Sequence, residues 1–341
     1  MTVVGIRCDA GPKTGVGHLV RCTALAEELT ARDVDVHFLA DLGGVAWAES
    51  QLEQRGLPWH PAPYDEVGLV AAVRRLGLDA LVVDSYTLPP QHTRAVRRTG
   101  LPILAIVDGE PRGQSADIYV DQNLDAVLEV GEVRLAGLKY SLLRSAVREL
   151  RPESAPVHAG GRTPKVVAFF GGTDAYRAAP QVARLLTRAG VPFDATVIAA
   201  DESLRDELLA VATGPGQRFE IIPPTDHLPK LLAGADLVVS ASGTSTWELL
   251  CLGRAAALVW VVDNQILGYD RTIARGYAAG LGRLGDFDAD ASGVLKRLLT
   301  DPASRTELAA RGWAAVDGRG VERVADALLA RARTATARSP R

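Results

Sequence analysis

The stretch Val3-Val4-Gly5-Ile6-Arg7-Cys8-Asp9-Ala10-Gly11-Pro12-Lys13-Thr14-Gly15-Val16-Gly17-His18 runs from an apolar segment through a glycine-rich turn to the opening of a helix. Val3–Cys8 is the kind of short Val/Ile-rich run that forms a buried parallel strand. Leu19–Leu29, directly beyond, carries apolar residues at helical spacing. Strand, tight turn and helix in succession make the first part of a βαβ unit. The glycines let the backbone approach a ligand closely, and the helix N-terminus that follows favours an anion. The loop is not a dinucleotide fingerprint, because the third glycine of GxGxxG would fall at Val20. Nor is it a Walker A loop, since no GxxxxG precedes Lys13-Thr14.

The same alternation continues outward. Val34–Leu39, Ala80–Val83 and Pro102–Val107 read as further strands, with helical spacing over Val67–Leu76 and Gln91–Arg98. Arg151–Thr163 breaks the pattern with Pro152, Pro156, Gly160 and Gly161, which is linker chemistry. Strands are expected again at Lys165–Phe170, Phe193–Ala199, Phe219–Ile222, Leu237–Ser240 and Ala256–Val262. Helical patterns at Ala289–Thr300, Ser304–Ala310 and Val321–Arg333 close the chain. The reading is an α/β protein of two Rossmann-like domains whose parallel sheets face a central cleft. An N-terminal domain is expected over 1–150, a linker over 151–163, a C-terminal domain over 164–333 and a flexible tail over 334–341. In such sheets ligands sit beyond the carboxyl ends of the strands, so the functional residues are expected in loops after strands.

Bulk properties narrow the function. With 341 residues and 47% apolar content the chain can bury two cores. A net charge of −3 does not suggest a nucleic-acid partner. Cys8, Cys22 and Cys251 form no CxxC pair and sit in apolar runs, as reduced buried thiols do. The N-terminal residues do not read as a signal peptide, and no apolar run approaches about 20 residues, so stable membrane insertion is not expected. The expected location is the cytoplasm. The six histidines are scattered with no HExxH, so no metal or cofactor is expected.

Four clusters carry candidate chemistry. In the first, Gly15 and Gly17 precede His18 at the start of a helix. The helix dipole and Arg21 disfavour a charged imidazole there, and a neutral imidazole is a competent general base, unless His18 is simply a polar residue that starts the helix. The second cluster is Asp84 and Tyr86 after one strand and Asp108 after another. These carboxylates either polarise His18, bind sugar hydroxyls, or serve as turn and cap residues. Third, Gly171, Gly172, Thr173 and Asp174 follow a strand and offer backbone N–H groups to a diphosphate, unless they form a structural turn. Fourth, Ser242, Gly243, Thr244 and Ser245 lie between a strand and a helix and suit phosphate oxygens. Glu248, read into the first turn of that helix, accepts ribose hydroxyls or complements the helix dipole. Asn264 and Gln265, after the next strand, have amides that reach the same ligand.

Taken in order, these motifs resemble the UDP-sugar hydrolase of pseudaminic acid biosynthesis and the related spore-coat polysaccharide biosynthesis proteins. The resemblance rests on Arg7–Ala10, Gly15–His18 with Arg21 and Cys22, Asp84-Ser85-Tyr86, Leu138–Arg144, Gly171–Asp174, Ser242–Glu248, Asn264-Gln265 and Asp317–Val324. It implies a GT-B fold and hydrolysis of the glycosyl–phosphate bond of a UDP-sugar of the 2,4-diacetamido-2,4,6-trideoxy hexose type. His18 would then be the base that activates water, with UDP held by the C-terminal domain and no metal required. The chain departs from the family at Asp108-Gly109, where paired aspartates are frequent, and at Gly11 or Pro12, where a serine is. Both lie near the implied sugar. The alternative is a glycosyltransferase that uses a nucleotide-sugar donor and a hydroxyl acceptor. A non-catalytic nucleotide-sugar-binding protein is a third reading, which has no use for a base at His18.

Overall fold

The structure, a computed structural model, describes residues 1–11 and 15–338. Pro12, Lys13 and Thr14 of the first loop lie outside the described residues, as do residues 339–341. The chain forms two units, one of Met1–Ser145 with Gly318 onward, the other of Ala146–Asp317.

The first unit contains β1 (Val3–Asp9), β2 (Asp35–Asp41), β3 (Trp59–Pro61), β4 (Ala80–Asp84), β5 (Ile103–Ile106), β6 (Ile118–Asp121) and β7 (Val133–Ala136). They form one sheet in the order β3-β2-β1-β4-β5-β6-β7, with every pairing parallel. Its helices are α1 (Gly17–Thr30), α2 (Ala46–Gln54), α3 (Glu66–Leu76) and α4 (Pro90–Arg97), and the short α5 (Ser145–Arg148) ends the segment. Helix α3 shows how local sequence sets the boundaries. The Asp65 side chain accepts the Gly68 N–H at 2.7 Å, and Gly77 closes the helix in the left-handed conformation. Strand β4 is buried at every position, as a central parallel strand covered on both faces must be.

The second unit repeats the plan. Strands β8 (Lys165–Phe169), β9 (Phe193–Ile198), β10 (Gln217–Ile222), β11 (Leu237–Ala241), β12 (Ala256–Trp260), β13 (Ala279–Arg283) and β14 (Asp286–Phe287) run in the order β10-β9-β8-β11-β12-β13-β14. Only β14 is antiparallel to its neighbour. The helices are α6 (Ala178–Arg188), α7 (Glu202–Leu209), α8 (Leu228–Gly234), α9 (Thr244–Cys251), α10 (Ile266–Ala274), α11 (Ala291–Thr300) and α12 (Pro302–Ala315). Residues 151–163 hold no helix or strand, as the Pro/Gly content predicts. They are strapped to this unit by Arg151 Nη1 donating to the Cys251 carbonyl (2.8 Å) and by Trp313 Nε1 donating to that of Pro152 (3.0 Å). Arg162 adds an ion pair to Asp236 at 2.7 Å.

In each sheet the strand order reverses direction between the first and fourth strands, β1 against β4 and β8 against β11. Loops that leave those two strands diverge, which is where open α/β sheets bind their ligands. Each unit thus has one such switch point, and the candidate motifs lie on the loops that flank it.

The last helix, α13 (Gly320–Arg338), departs from the sequence reading, which placed 164–333 in the second domain and a flexible tail from 334. It belongs to the first unit. Its stripe of Val321, Val324, Ala325, Leu328 and Ala332 enters the same core as Leu19, Cys22 and Ala26 of α1. Gly320 makes the approach possible, because a Cβ there would collide with the Ser141 backbone. Arg32 to Asp326 (2.6 Å) and Arg331 to Asp117 (2.8 Å) flank the packed face. The helix persists through Thr334, whose hydroxyl donates to the Ala330 carbonyl, so the segment expected to fray is helical to Arg338.

Leu328 is fully buried in this core. Leu328→Ala is expected to cost about 2–5 kcal/mol in denaturant unfolding. An unchanged midpoint would show that α13 is not part of the first unit's core.

Candidate functional site

Carboxylates converge on the switch point of the first unit. Asp9 ends β1, Asp84 ends β4, Asp121 ends β6, and Asp108 lies two residues past β5. Parallel strands deliver all four to one edge of the sheet. Like charges so placed repel unless cations separate them. Arg21, one turn into α1, does so. Its Nε and Nη2 donate to the two oxygens of Asp84 (both 2.6 Å), and its Nη1 and Nη2 to those of Asp108 (2.8 and 3.0 Å). Burial alone would disfavour the guanidinium charge, but the two carboxylates hold its pKa well above the ordinary arginine value. Burial likewise works to raise the Asp108 carboxyl. Arg21, Tyr86 and Asn123 outweigh it and hold the carboxyl well below the usual carboxylate range.

His18 and Tyr86 are mounted on this clamp. The His18 Nδ1 lies 3.3 Å from both the carbonyl and the Oδ1 of Asp84, which leaves Nε2 as the nitrogen free to take a proton. The Tyr86 ring meets the imidazole edge-on at 4.3 Å between centroids, and its hydroxyl donates to Asp108 Oδ2 at 2.5 Å. Burial and the neighbouring Asp108 charge raise the Tyr86 pKa, so the phenol keeps its proton. Asn123 Nδ2 bonds Asp108 and Asp121 (2.8 Å each), and Ser85 donates to Asp9 at 2.6 Å. Arg7 pairs with Asp9.

Several expectations change here. Arg21 and Asp84 are 2% and 0% exposed, and every donor direction of the guanidinium used here ends on a carboxylate. Both are buried, and the hydrogen bonds of the guanidinium go to the two carboxylates, so neither is presented as an exposed ligand contact. For the same reason Arg21 does not stand beside His18 as a net positive charge. Asp108 is committed to Arg21, Tyr86 and Asn123. The Gly15 N–H is spent on the Gly11 carbonyl (2.8 Å), so it is not offered to an anion, whereas Gly17 opens α1, whose first-turn N–H groups lack intrahelical acceptors. Asn123 and Asp121 were missed because Asp121-Gln122-Asn123 has no spacing signature. The one available cue was an acidic residue ending an apolar run.

In the second unit the loops after β8, β11 and β12 carry the remaining candidates. Gly171 and Gly172 are exposed and Thr173 half-buried. Asp174 turns inward instead, with its carboxylate accepting the N–H groups of Ala178 (2.8 Å) and Ala179 (2.9 Å). It caps α6, so that helix N-terminus is already taken by protein and Asp174 is no ligand contact. Burial pushes its pKa up to about 6 despite these two amides. At α9, Gly243 is exposed, Thr244 and Ser245 are half-buried, and Ser242 is buried. The Gly243 N–H donates to Thr246 Oγ1 at 3.3 Å, a capping contact absent from the sequence reading. Gln265 accepts the Val261 N–H at 2.8 Å, and its Nε2 lies 4.0 Å from where a Cβ of residue 243 would be. The β12 loop is therefore brought to the start of α9. Asn264 beside it is exposed. Glu248 is buried in the second turn of α9, not the first, so complementing the helix dipole is not its role.

Among the described residues no group of three or more His, Cys, Asp or Glu side chains could hold a metal ion. No helix among them is long and apolar enough to cross a membrane.

Known proteins place this architecture. No protein-family model matches the chain. It overlays on MurG of Acinetobacter baumannii with a TM-score of 0.72 over 97% of this chain and all of that one, at 16% identity. The fold is GT-B. The UDP-GlcNAc 2-epimerase of Neisseria meningitidis, solved with UDP-GlcNAc bound, overlays at 0.63 with 10% identity over 97% of this chain and 100% of that one. In sequence, the chain is 23% identical to the spore coat polysaccharide biosynthesis protein SpsG of Bacillus subtilis, over 94% of this chain and 96% of that one. It is 25% identical to a UDP-N-acetylglucosamine–N-acetylmuramyl-(pentapeptide) pyrophosphoryl-undecaprenol N-acetylglucosamine transferase of Xanthomonas oryzae, over 95% of this chain and 79% of that one.

Two measurements test the electrostatics. Arg21→Met leaves Asp84 and Asp108 uncompensated and is expected to destabilise the protein by about 3–5 kcal/mol in denaturant unfolding. A neutral outcome would mean the clamp adds nothing to the fold. For Asp174, a folded pKa raised from 3.8 to about 6 means its favourable contribution is complete below pH 4 and lost as pH rises through 6. The stability of Asp174→Asn relative to wild type is therefore expected to improve by about 2–3 kcal/mol between pH 4 and 7. A difference that stays constant with pH would refute the assignment.

Proposed function

We propose that the chain is a glycosyltransferase acting on a nucleotide-sugar donor, most simply a UDP-sugar, and a hydroxyl acceptor. The observation that carries this reading is His18, with Nδ1 held by Asp84 and Nε2 left free at a switch point. A binding protein has no need of a base so mounted. The names of the relatives support the donor class. The Xanthomonas relative is a UDP-N-acetylglucosamine-dependent transferase, and the Neisseria epimerase structure contains UDP-GlcNAc.

In this mechanism the second unit holds the nucleotide. The diphosphate lies on the backbone of Gly171 and Gly172 and on the start of α9, with the hydroxyls of Thr173, Ser242, Thr244 and Ser245 around it. Glu248 serves the ribose, and Asn264 and Gln265 the sugar or its phosphate. In the first unit, His18 Nε2 takes the proton of the attacking hydroxyl as its oxygen bonds the anomeric carbon. The bond from that carbon to the phosphate oxygen breaks, and UDP leaves with its charge met by N–H groups at the helix start. The Arg21–Asp84–Asp108 clamp fixes the imidazole and Tyr86 during this step.

Hydrolysis is the second reading, favoured by the motifs Gly15–His18 and Asp84-Ser85-Tyr86. The same base would activate water, and the donor would be a UDP-2,4-diacetamido-2,4,6-trideoxy hexose.

The test is incubation with a panel of UDP-sugars, with and without hydroxyl acceptors, following UDP and free sugar together. UDP release that needs an acceptor supports the transferase, and equimolar free sugar and UDP without acceptor supports the hydrolase. His18→Ala is expected to lower kcat about 10²–10⁴-fold with UDP affinity retained. Residue 243 has an extended backbone that any side chain adopts. Gly243→Val is therefore expected to fold while weakening UDP binding about tenfold or more, as hydrogen bonds to a charged ligand are lost. Unchanged turnover in His18→Ala would remove the mechanism. Unchanged UDP affinity in Gly243→Val would remove the nucleotide site.

A further inference from the structure

Beside the clamp stands a cation that the mechanism above leaves unused. Arg112 lies in the loop after β5, exposed, with its guanidinium 4.2 Å above the centroid of the Tyr86 ring. Among the described residues, no hydrogen bond or ion pair engages that guanidinium. The nearby carboxylate of Asp108 is saturated by Arg21, Tyr86 and Asn123. The position is also held at a conformational cost. Arg112 has φ +48°, a left-handed backbone that arginine rarely adopts, and Gly113 follows at +69°. Stacking on Tyr86 orients the fork without burying it. The ring beneath is the one that packs on the His18 imidazole.

A planar, permanently charged fork with free donors is the side chain suited to bidentate recognition of carboxylate or phosphate. We propose that Arg112 is a specificity determinant that recognises an anionic group, carboxylate or phosphate, on the part of the substrate held by the first unit. Tyr86 is its platform and, with one ring face covered by Arg112 and its hydroxyl given to Asp108, does not itself read the sugar through either. This deepens the proposed function and rests on it. The anion belongs either to the donor sugar or to the acceptor, and the chemistry of recognition is the same.

Calorimetric titration of the full chain distinguishes the sources. One arm compares UDP-glucuronate with UDP-glucose. The other saturates the protein with UDP and compares N-acetylglucosamine 1-phosphate with N-acetylglucosamine. Wild type is expected to prefer the anionic member of one pair by about ten- to hundredfold, the range of hydrogen bonds to charged groups. Arg112→Asn, whose side chain tolerates the left-handed backbone, is expected to abolish that preference, and Arg112→Lys to retain part of it. UDP affinity should be equal in all three proteins. Equal preferences in wild type and Arg112→Asn, or no preference in either arm, with UDP binding intact, would overturn this inference alone. Failure of wild type to bind UDP would overturn the nucleotide-sugar reading and the inference with it.

Discussion

The guanidinium of Arg21, closed between the carboxylates of Asp84 and Asp108, is the interaction on which the first unit's site depends. A parallel sheet brings strand ends side by side, and here those ends bear acids. Without a cation among them, one or more would have to take up a proton or the edge would splay. With Arg21 in place Asp84 and Asp108 act as hydrogen-bond acceptors, and each orients something else. Asp84 fixes His18, and Asp108 fixes Tyr86 and Asn123. Such a fully satisfied network holds its members in single positions, which a proton-transfer site requires.

The two units share a topology but present different chemistry at their switch points. At the first, charged side chains are locked together by hydrogen bonds. At the second stand glycines, hydroxyls and the start of α9, with Asp174 turned inward to cap α6. An anionic ligand suits the second arrangement and a proton-accepting imidazole the first. The return of α13 to the first unit closes the core over α1, the helix that carries both His18 and Arg21.

Much of this was legible before the structure. The long, doubly buried strands announced themselves as Val/Ile/Leu runs, and the loops at both switch points were picked out by their glycines and hydroxyls. The misses have physical causes. Strands β3, β6, β7, β13 and β14 were not read: β3, β7 and β14 are short and partly exposed at sheet edges, β6 is buried but only four residues long, and Gly280 and Gly282 dilute the apolar run of β13. Asp174 was read as a ligand contact because an acid in a glycine-rich loop looks the same in sequence whether it faces out or caps a helix, and Glu248 was read one turn too early because the start of α9 has no sharp boundary in the sequence. Asn123 entered the site through Asp108 and Asp121, by a contact with no local signature.

What the sequence by itself determined is local: the strand–turn–helix rhythm, the doubling of the α/β plan, and the placement of His18 at the start of a helix after a strand. These follow from side-chain periodicity and backbone preference, which act over a few residues. What only the tertiary structure decided is which charges meet. Arg21 finds Asp84 across 63 residues and Asp108 across 87, and α13 rejoins a core some 300 residues earlier in the chain. Strand order sets those meetings, and strand order arises from burying whole helix and sheet faces together, a property of the assembled core that no short segment carries.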